Sequence, residues 1–226
     1  MKRISLIVPC LNEEEAIPAF KQEIDRVFKE CLEGYAPELI FVDDGSTDRS
    51  LEMIKKMAEH SPEVKFISFS RNFGKEAAIY AGLEAATGDY AAVMDVDLQD
   101  PPSLLPDMLK AIEKEGYDCA GTRRVTRQGE PLLRSFFARA FYKTIHQISD
   151  TRIVDGARDY KLMTRPVLEA LLSLKEYNRF SKGLYEWVGF RTKWFEYENV
   201  ERVAGETKWS FFKLFLYSIE DRKSVV

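Results

Sequence analysis

Asp95-Val96-Asp97, followed at once by Leu98-Gln99-Asp100-Pro101-Pro102, is the stretch whose residue types and spacing could do chemistry. Apolar residues from Tyr90 to Met94 lead into it, so it reads as a buried strand that stops at two carboxylates. Alternation along an extended backbone puts Asp95 and Asp97 on one side and turns Val96 away. Two carboxylates converging at a strand end make a hard oxygen site for Mg²⁺ or Mn²⁺, an ion that usually also binds substrate phosphates. Asp-x-Asp alone is a common pattern that a solvated turn carries equally well. Its weight therefore comes from its neighbours.

Three further polar clusters follow apolar runs. Pro9-Cys10-Leu11-Asn12-Glu13 can present backbone groups to a base or ribose, with Glu13 accepting from hydroxyls. Asp43-Asp44-Gly45-Ser46-x-Asp48 places an acceptor that suits the imide N–H of uracil or a ribose hydroxyl. Each alone reads more readily as a turn with a helix cap. In Ser70-Arg71-Asn72-Phe73-Gly74-Lys75, the lysine opens a helix, where the macrodipole favours anions. A bound phosphate explains that cation better than helix stability does. Gly121-Thr122-Arg123-Arg124, with Arg127 beyond, adds fixed cations that suit phosphate oxygens.

The elements that must position these clusters alternate through residues 1–122. Strands are expected at Ile4–Val8, Leu39–Val42, Val64–Phe69, Tyr90–Met94 and Asp118–Gly121. Helices are expected at Ala16–Leu32, from a Thr47 or Asp48 cap through Met57, at Lys75–Ala86 and at Ser103–Glu115. Strand–helix alternation with short loops implies a mostly parallel sheet covered on both faces, with ligands beyond the carboxyl ends of its strands. The second half is less regular. Leu132–Ile148 and Trp209–Ile219 read as aromatic amphipathic helices, able either to lie in a membrane interface or to pack on the sheet. No apolar run is long enough to span a bilayer.

Composition narrows the classes. At 226 residues the chain is one large domain, with ordinary apolar content. Three unclustered cysteines fit a reduced setting rather than a disulfide framework, and two distant histidines argue against a histidine-rich zinc site. Met1-Lys2-Arg3 leads directly into a strand and is no secretory signal. Residues 1–122 carry 13 Lys+Arg against 24 Asp+Glu, and residues 123–226 carry 20 against 13. An acidic front and a basic back suit a metal–nucleotide end and an end that meets anions.

Taken together, these motifs resemble the family-2 glycosyltransferases of the GT-A fold, in particular the polyprenyl-phosphate hexosyltransferases. These include the bactoprenol-phosphate glucosyltransferases and, more distantly, dolichol-phosphate mannose synthase. The resemblance runs through the segments above and on through Arg158-Asp159-Tyr160-Lys161-Leu162-Met163, Asn178-Arg179-Phe180-Ser181-Lys182-Gly183-Leu184, Trp187-Val188-Gly189-Phe190 and Gly205-Glu206-Thr207-Lys208-Trp209. It covers roughly residues 3–218 and implies an α/β Rossmann-like, mostly parallel sheet flanked by helices, with C-terminal amphipathic helices.

The resemblance also implies roles. Pro9, Glu13 and Asp43 would hold the nucleotide, and Asp95 and Asp97 the ribose–diphosphate and a Mg²⁺ or Mn²⁺ ion, with Asp97 the more direct ligand. Gln99 would lie near the donor sugar, Lys75 and Arg123 on donor phosphates, and Arg179, Lys182, Arg202 and Lys208 around the acceptor phosphate. Asp159 falls where the glucosyltransferases carry their proposed base. A phosphate monoester has a second pKa of about 6, so its oxygen is already largely ionised. Asp159 is therefore expected to orient or assist rather than be indispensable.

The family usually carries Gly at position 158, so Arg158 raises the question of a left-handed backbone there. Relatives continue into two membrane-spanning helices, whereas this chain ends in an atypical tail at 219–226, as a truncated or partial form would. The expected layout is a domain over 1–218, with a donor half at 1–122 and an acceptor half at 123–218. The expected activity is inverting transfer of a hexose, glucose from UDP-glucose first, to a polyprenyl monophosphate at the cytoplasmic face of the cell membrane. Nucleic acid is not expected as a partner, and a homo-oligomer is left open. GDP-mannose as donor, a protein-bound or soluble sugar acceptor, or a non-catalytic nucleotide-sugar- or partner-binding remnant are the competing readings. A nucleotidyltransferase would want a Gly-rich phosphate loop that Pro9–Glu13 does not supply.

Overall fold

The computed structural model describes residues 1–124, 154, 156–176 and 179–197. Among them a seven-stranded sheet runs in the order β3-β2-β1-β4-β6-β5-β7. Its strands are β1 (Lys2–Cys10), β2 (Tyr35–Asp43), β3 (Val64–Ser68), β4 (Tyr90–Val93), β5 (Cys119–Arg124), β6 (Ala157–Thr164) and β7 (Thr192–Tyr197). The helices are α1 (Ile17–Cys31), α2 (Ser50–His60), α3 (Lys75–Ala85), α4 (Leu105–Glu115, after a 3₁₀ turn at Pro102–Leu104), α5 (Arg165–Ser173) and α6 (Ser181–Trp187). The expected alternation holds through β5, with bounds shifted by a few residues. The helices expected at 132–148 and 209–219 lie outside the described residues.

Alternation in the strands divides the core. Ile4, Leu6 and Val8 turn to one face, where they meet Phe20 and Ile24 of α1 and Leu105 and Met108 of α4. Ile7, Ile40, Val42 and Val93 turn to the other, against Ile79 and Leu83 of α3 and Leu168 and Leu171 of α5. Covered on both sides, the central strands can be continuously apolar, as Leu39–Val42 is.

Two features of topology position the site. β2 and β4 flank β1 on opposite sides, both parallel to it, so chain direction across the sheet reverses at β1. The carboxyl ends around that reversal form the crevice where α/β sheets bind ligands. β6 then inserts between β4 and β5, antiparallel to both, so its first residues come to the carboxyl end of β4. Nothing in the local pattern of the sequence announced β6 or β7.

The loops at this edge are close-packed. Gly45 sits at φ 74°, and a Cβ there would lie 2.6 Å from the backbone carbonyl carbon of Arg71. Only glycine lets the loop after β2 approach the loop after β3 this closely. Among the described residues no helix is long and apolar enough to cross a membrane.

Candidate active site

The ends of β1 and β2 bring Pro9, Glu13 and Asp43 to one corner. Pro9 lies beside Val42, and Cys10 beside Asp43, in the parallel register. The two following loops are latched together: Thr47 N donates to Asn12 Oδ1 (2.7 Å), Glu13 N to Ser50 Oγ (2.7 Å) and Arg49 N to Glu14 Oε2 (2.9 Å). Asn12 takes a left-handed φ of 52°, which Asn tolerates, and so reaches across. Asp48 Oδ1 accepts from Ser50 N at 2.9 Å, which makes it the turn residue before α2. Buried Asp44 accepts from Phe73 N (2.7 Å) and Gly74 N (3.0 Å), tying this corner to the start of α3. Burial raises the Asp44 carboxyl above its ordinary value, against the lowering effect of those two N–H groups.

A second cluster lies where β4 meets β6. The antiparallel register ends with Val93 opposite Lys161, so Asp159, two residues earlier on β6, comes beside the turn that carries Asp95. Two carboxylates brought this close repel. The Lys75 ammonium answers this by bridging them, 2.7 Å from Asp95 Oδ1 and 2.5 Å from Asp159 Oδ2. Lys182, on α6, lies 3.8 Å from Asp159 Oδ1. Burial alone would raise Asp159. The Lys182 and Lys75 ammoniums outweigh it and hold the carboxyl well below the usual carboxylate range. Burial likewise opposes the charge on Lys75, but Asp159 and Asp95 raise its pKa. The lysine at the start of α3, expected to mark a phosphate, thus already has two carboxylate partners in the fold.

The structure changes the account of Asp95 and Asp97. β4 ends at Val93, with one further ladder bond from Met94 N to Ile7 O (3.0 Å). Both aspartates therefore sit on the turn beyond the strand and do not alternate along it. Asp95 goes to Lys75, whereas Asp97 is 6% exposed and accepts from Gln99 N at 3.1 Å. Leu98, between Asp97 and Asp100, is held at φ 57°, a conformation costing a non-glycine residue roughly 1–2 kcal/mol. Among the described residues no group of three or more His, Cys, Asp or Glu side chains is gathered as for a metal.

Arg158 raises no backbone difficulty. It lies within β6, and the left-handed residue is Gly156 (φ 77°), where a Cβ would stand 2.7 Å from Arg124 O. Its guanidinium bonds Asp100 through Nε (3.0 Å) and Nη2 (3.5 Å), and Tyr197 donates its hydroxyl to the same carboxylate. Sequence reasoning missed this trio. Asp100 stood in the motif, but its partners are 58 and 97 residues away.

The sequence model of the family described as "Glycosyl transferase family 2" matches residues 5–172, which include both clusters except Lys182. The chain belongs to glycosyl transferase family 2. It is 44% identical over 217 residues to a Bacillus subtilis (strain 168) protein that carries the name glycosyltransferase CsbB, covering 96% of this chain and 65% of that one. It is 41% identical over 218 residues to the prophage bactoprenol glucosyl transferase homolog of Escherichia coli (strain K12), covering 96% and 70%. The chain thus spans about two thirds of the length of these relatives. In fold it is similar to a mannosyltransferase from Pyrobaculum calidifontis in complex with GDP-Man and Mn²⁺ (TM-score 0.58, 21% identity, 90% of this chain and 57% of that one). It is also similar to glucosyl-3-phosphoglycerate synthase from Mycobacterium tuberculosis in complex with Mn²⁺, UDP-glucose and phosphoglyceric acid (TM-score 0.60, 21% identity, 99% and 78%).

The remaining cations expected of this family-2 glycosyltransferase are dispersed. Arg123, at the end of β5, pairs with Glu196 on β7, and both are part-exposed. Such a pair is worth little and exchanges partners readily. Arg179 turns away from the cleft. It donates to the Leu174 and Leu171 carbonyls at the end of α5 and stacks 4.6 Å from the Tyr80 ring, so its guanidinium serves as a helix C-cap. Lys182 faces Asp159 because α6 is held at both ends. Glu76 Oε2 accepts from Ser181 N (3.1 Å) and Oγ (2.5 Å). At the other end buried Lys161 meets Glu186 at 3.3 Å and lies over the Tyr185 ring. Arg202 and Lys208 lie outside the described residues.

Proposed function

We propose that this family-2 glycosyltransferase moves a hexose, glucose from UDP-glucose first, to a polyprenyl monophosphate with inversion at the anomeric carbon. Its relatives named as bactoprenol glucosyl transferases support the acceptor class and the sugar. The observation that carries the reading is the joining of Asp95 and Asp159 through the Lys75 ammonium where β6 enters beside the turn after β4, with Asp97 on that same turn. A nucleotide lying over Pro9, Glu13 and Asp43 would bring its diphosphate to that turn and its sugar toward Gln99.

The residues fit a divalent cation. Asp97 would supply hard oxygen donors, and Asp95 would join it on exchanging its Lys75 partner for the ion; Mg²⁺ or Mn²⁺ usually takes only one or two carboxylates plus substrate phosphates, so no preformed cage is required. When bound, it would neutralise charge on the departing diphosphate. Arg123, released from Glu196, would add to that neutralisation. An acceptor phosphate oxygen forms the new bond to the anomeric carbon. The bond from that carbon to the donor diphosphate breaks, and its electron pair leaves with the nucleoside diphosphate. Because the attacking oxygen is already ionised near neutral pH, no proton need be removed. Asp159, held ionised by Lys75 and Lys182, orients the acceptor-side cations, and Lys182 meets the acceptor phosphate. Residues 1–122 would thus serve mainly the donor and 123–218 mainly the acceptor, with Arg123 reaching back to the donor diphosphate.

A thermal-shift panel of UDP, GDP, UDP-glucose and GDP-mannose, each with and without Mn²⁺, tests this directly. The expected result is stabilisation by UDP-glucose that requires the ion. Stabilisation by GDP-mannose alone would replace glucose with mannose, and no shift with any nucleotide would end the transferase reading.

A further inference from the structure

We propose that Arg158 is a positioning residue for the donor-sugar turn, acting through Asp100; the proposal rests on the site reading above. On β6 the side chains of Arg158 and Asp159 point to opposite faces, since neighbours in a strand alternate. Asp159 joins Lys75, whereas Arg158 comes round to the turn that carries Asp97 and Gln99. There its guanidinium holds Asp100 by Nε at 3.0 Å and Nη2 at 3.5 Å, and Nη2 also lies 4.0 Å from Asp95 Oδ2. The guanidinium therefore hydrogen-bonds Asp100 at one end of segment 95–100 and stands at ion-pair range from Asp95 at the other. Arginine suits this because its planar donors are fixed relative to one another.

The segment needs such a hold. Leu98, at its middle, sits at φ 57°, so the turn is strained and would relax if its ends were released. Relaxation would swing Asp97 and Gln99, the groups placed at the diphosphate and the sugar. Asp100 itself has a fully buried side chain whose oxygens are taken up by Arg158 and Tyr197. A carboxylate so enclosed is not a ligand for substrate. Its burial makes sense as the anchor of the turn, tied to β6 by Arg158 and to β7 by Tyr197.

The test separates positioning from mere charge compensation. Arg158→Met alone leaves a buried carboxylate without its counter-ion and can fail to fold. The double variant Arg158→Met with Asp100→Asn removes both charges, and Tyr197 can still donate to the side-chain amide oxygen that takes the carboxylate's place. Melting temperature, UDP affinity with Mn²⁺, and kcat and KM for UDP-glucose are measured for parent, double variant and Arg158→Lys. The double variant is expected to melt within a few degrees of the parent and to bind UDP within about threefold. Its kcat for transfer should fall on the order of tenfold to a hundredfold, the scale of an ångström's misplacement. Arg158→Lys, which keeps the charge without the fork, should lie between. A double variant with parental stability, kcat and KM overturns the proposal. A parent that binds no nucleotide overturns the site reading, and the positioning role with it.

Discussion

Asp97 and Asp159 are carboxylates at the same sheet edge, but their surroundings give them different duties. Asp97 sits on the turn beyond β4, one oxygen on the Gln99 N–H, where the donor's diphosphate and its ion are proposed to lie. Asp159 has Lys75 at 2.5 Å and Lys182 at 3.8 Å, which keep it ionised and therefore a poor proton acceptor. Asp97→Asn is accordingly expected to cost transfer on the order of a hundredfold or more. Asp159→Asn should cost less than the roughly hundredfold that loss of a true general base brings. Both are read as kcat at saturating Mn²⁺; the reverse ranking would restore Asp159 as the base. Lys75 carries a different load. Lys75→Met leaves Asp95 and Asp159 facing each other with no cation between them. Its side chain is about a third exposed, so the loss should be roughly 1–3 kcal/mol, below that for a fully buried pair. Urea unfolding measures it.

At the scale of elements, the site is made by loops drawn against one another. Gly45 is where the loop after β2 passes the backbone of Arg71 and Asn72. Gly45→Ala forces either a strained left-handed alanine or a displaced loop, and displacement would strain the Asp44 bonds to Phe73 N and Gly74 N. The expected loss is about 1–2 kcal/mol of stability, with UDP affinity falling as well, measured by thermal unfolding and by titration. Unchanged affinity would show that the nucleotide corner does not depend on this contact. The helices at this edge were legible because their apolar residues recur at helical spacing, as Ile17, Phe20, Ile24 and Val27 do in α1. β6 was not, because its partners in the sheet, β4 and β5, place no periodic mark on it.

At the scale of the whole molecule, two carboxylates at the sheet's amino-terminal edge, Glu38 and Glu113, contribute to acid stability alongside Asp159. Burial opposes the charge on Glu38, but Lys65 at 2.5 Å, the Ser5 and Thr87 hydroxyls and the Thr87 N–H bring its pKa from 4.5 to about 2. Glu113 is brought to about 2 chiefly by the Lys2 ammonium, with the Tyr90 and Tyr35 hydroxyls. A folded pKa below the unfolded one contributes stability that is full above the unfolded value of 4.5 and is lost as pH falls toward 2. The melting temperature should drop across that window, and Glu38→Gln should flatten the drop while lowering stability at neutral pH. The basic back half and the exposed Trp187, 66% accessible, set a second expectation. The chain should float with anionic vesicles at low salt and release at high salt. No binding at low salt would remove the membrane from the proposal.

The order of strands and helices through β5, the carboxylates at the sheet edge and the family itself were legible in the residues alone. Periodicity and turn chemistry are local, and motifs such as Val42–Asp48 and Asp95–Pro102 are contiguous. Contacts across dozens of residues were decided only in three dimensions. Inserting β6 beside β4 brought Asp159 to the turn that carries Asp95, gave Lys75 two carboxylates to bridge, and brought Arg158 to Asp100. Packing α5 against Arg179 took that cation out of the cleft. Such pairings depend on which strands lie side by side, and that follows from burying both faces of the whole sheet rather than from any one segment.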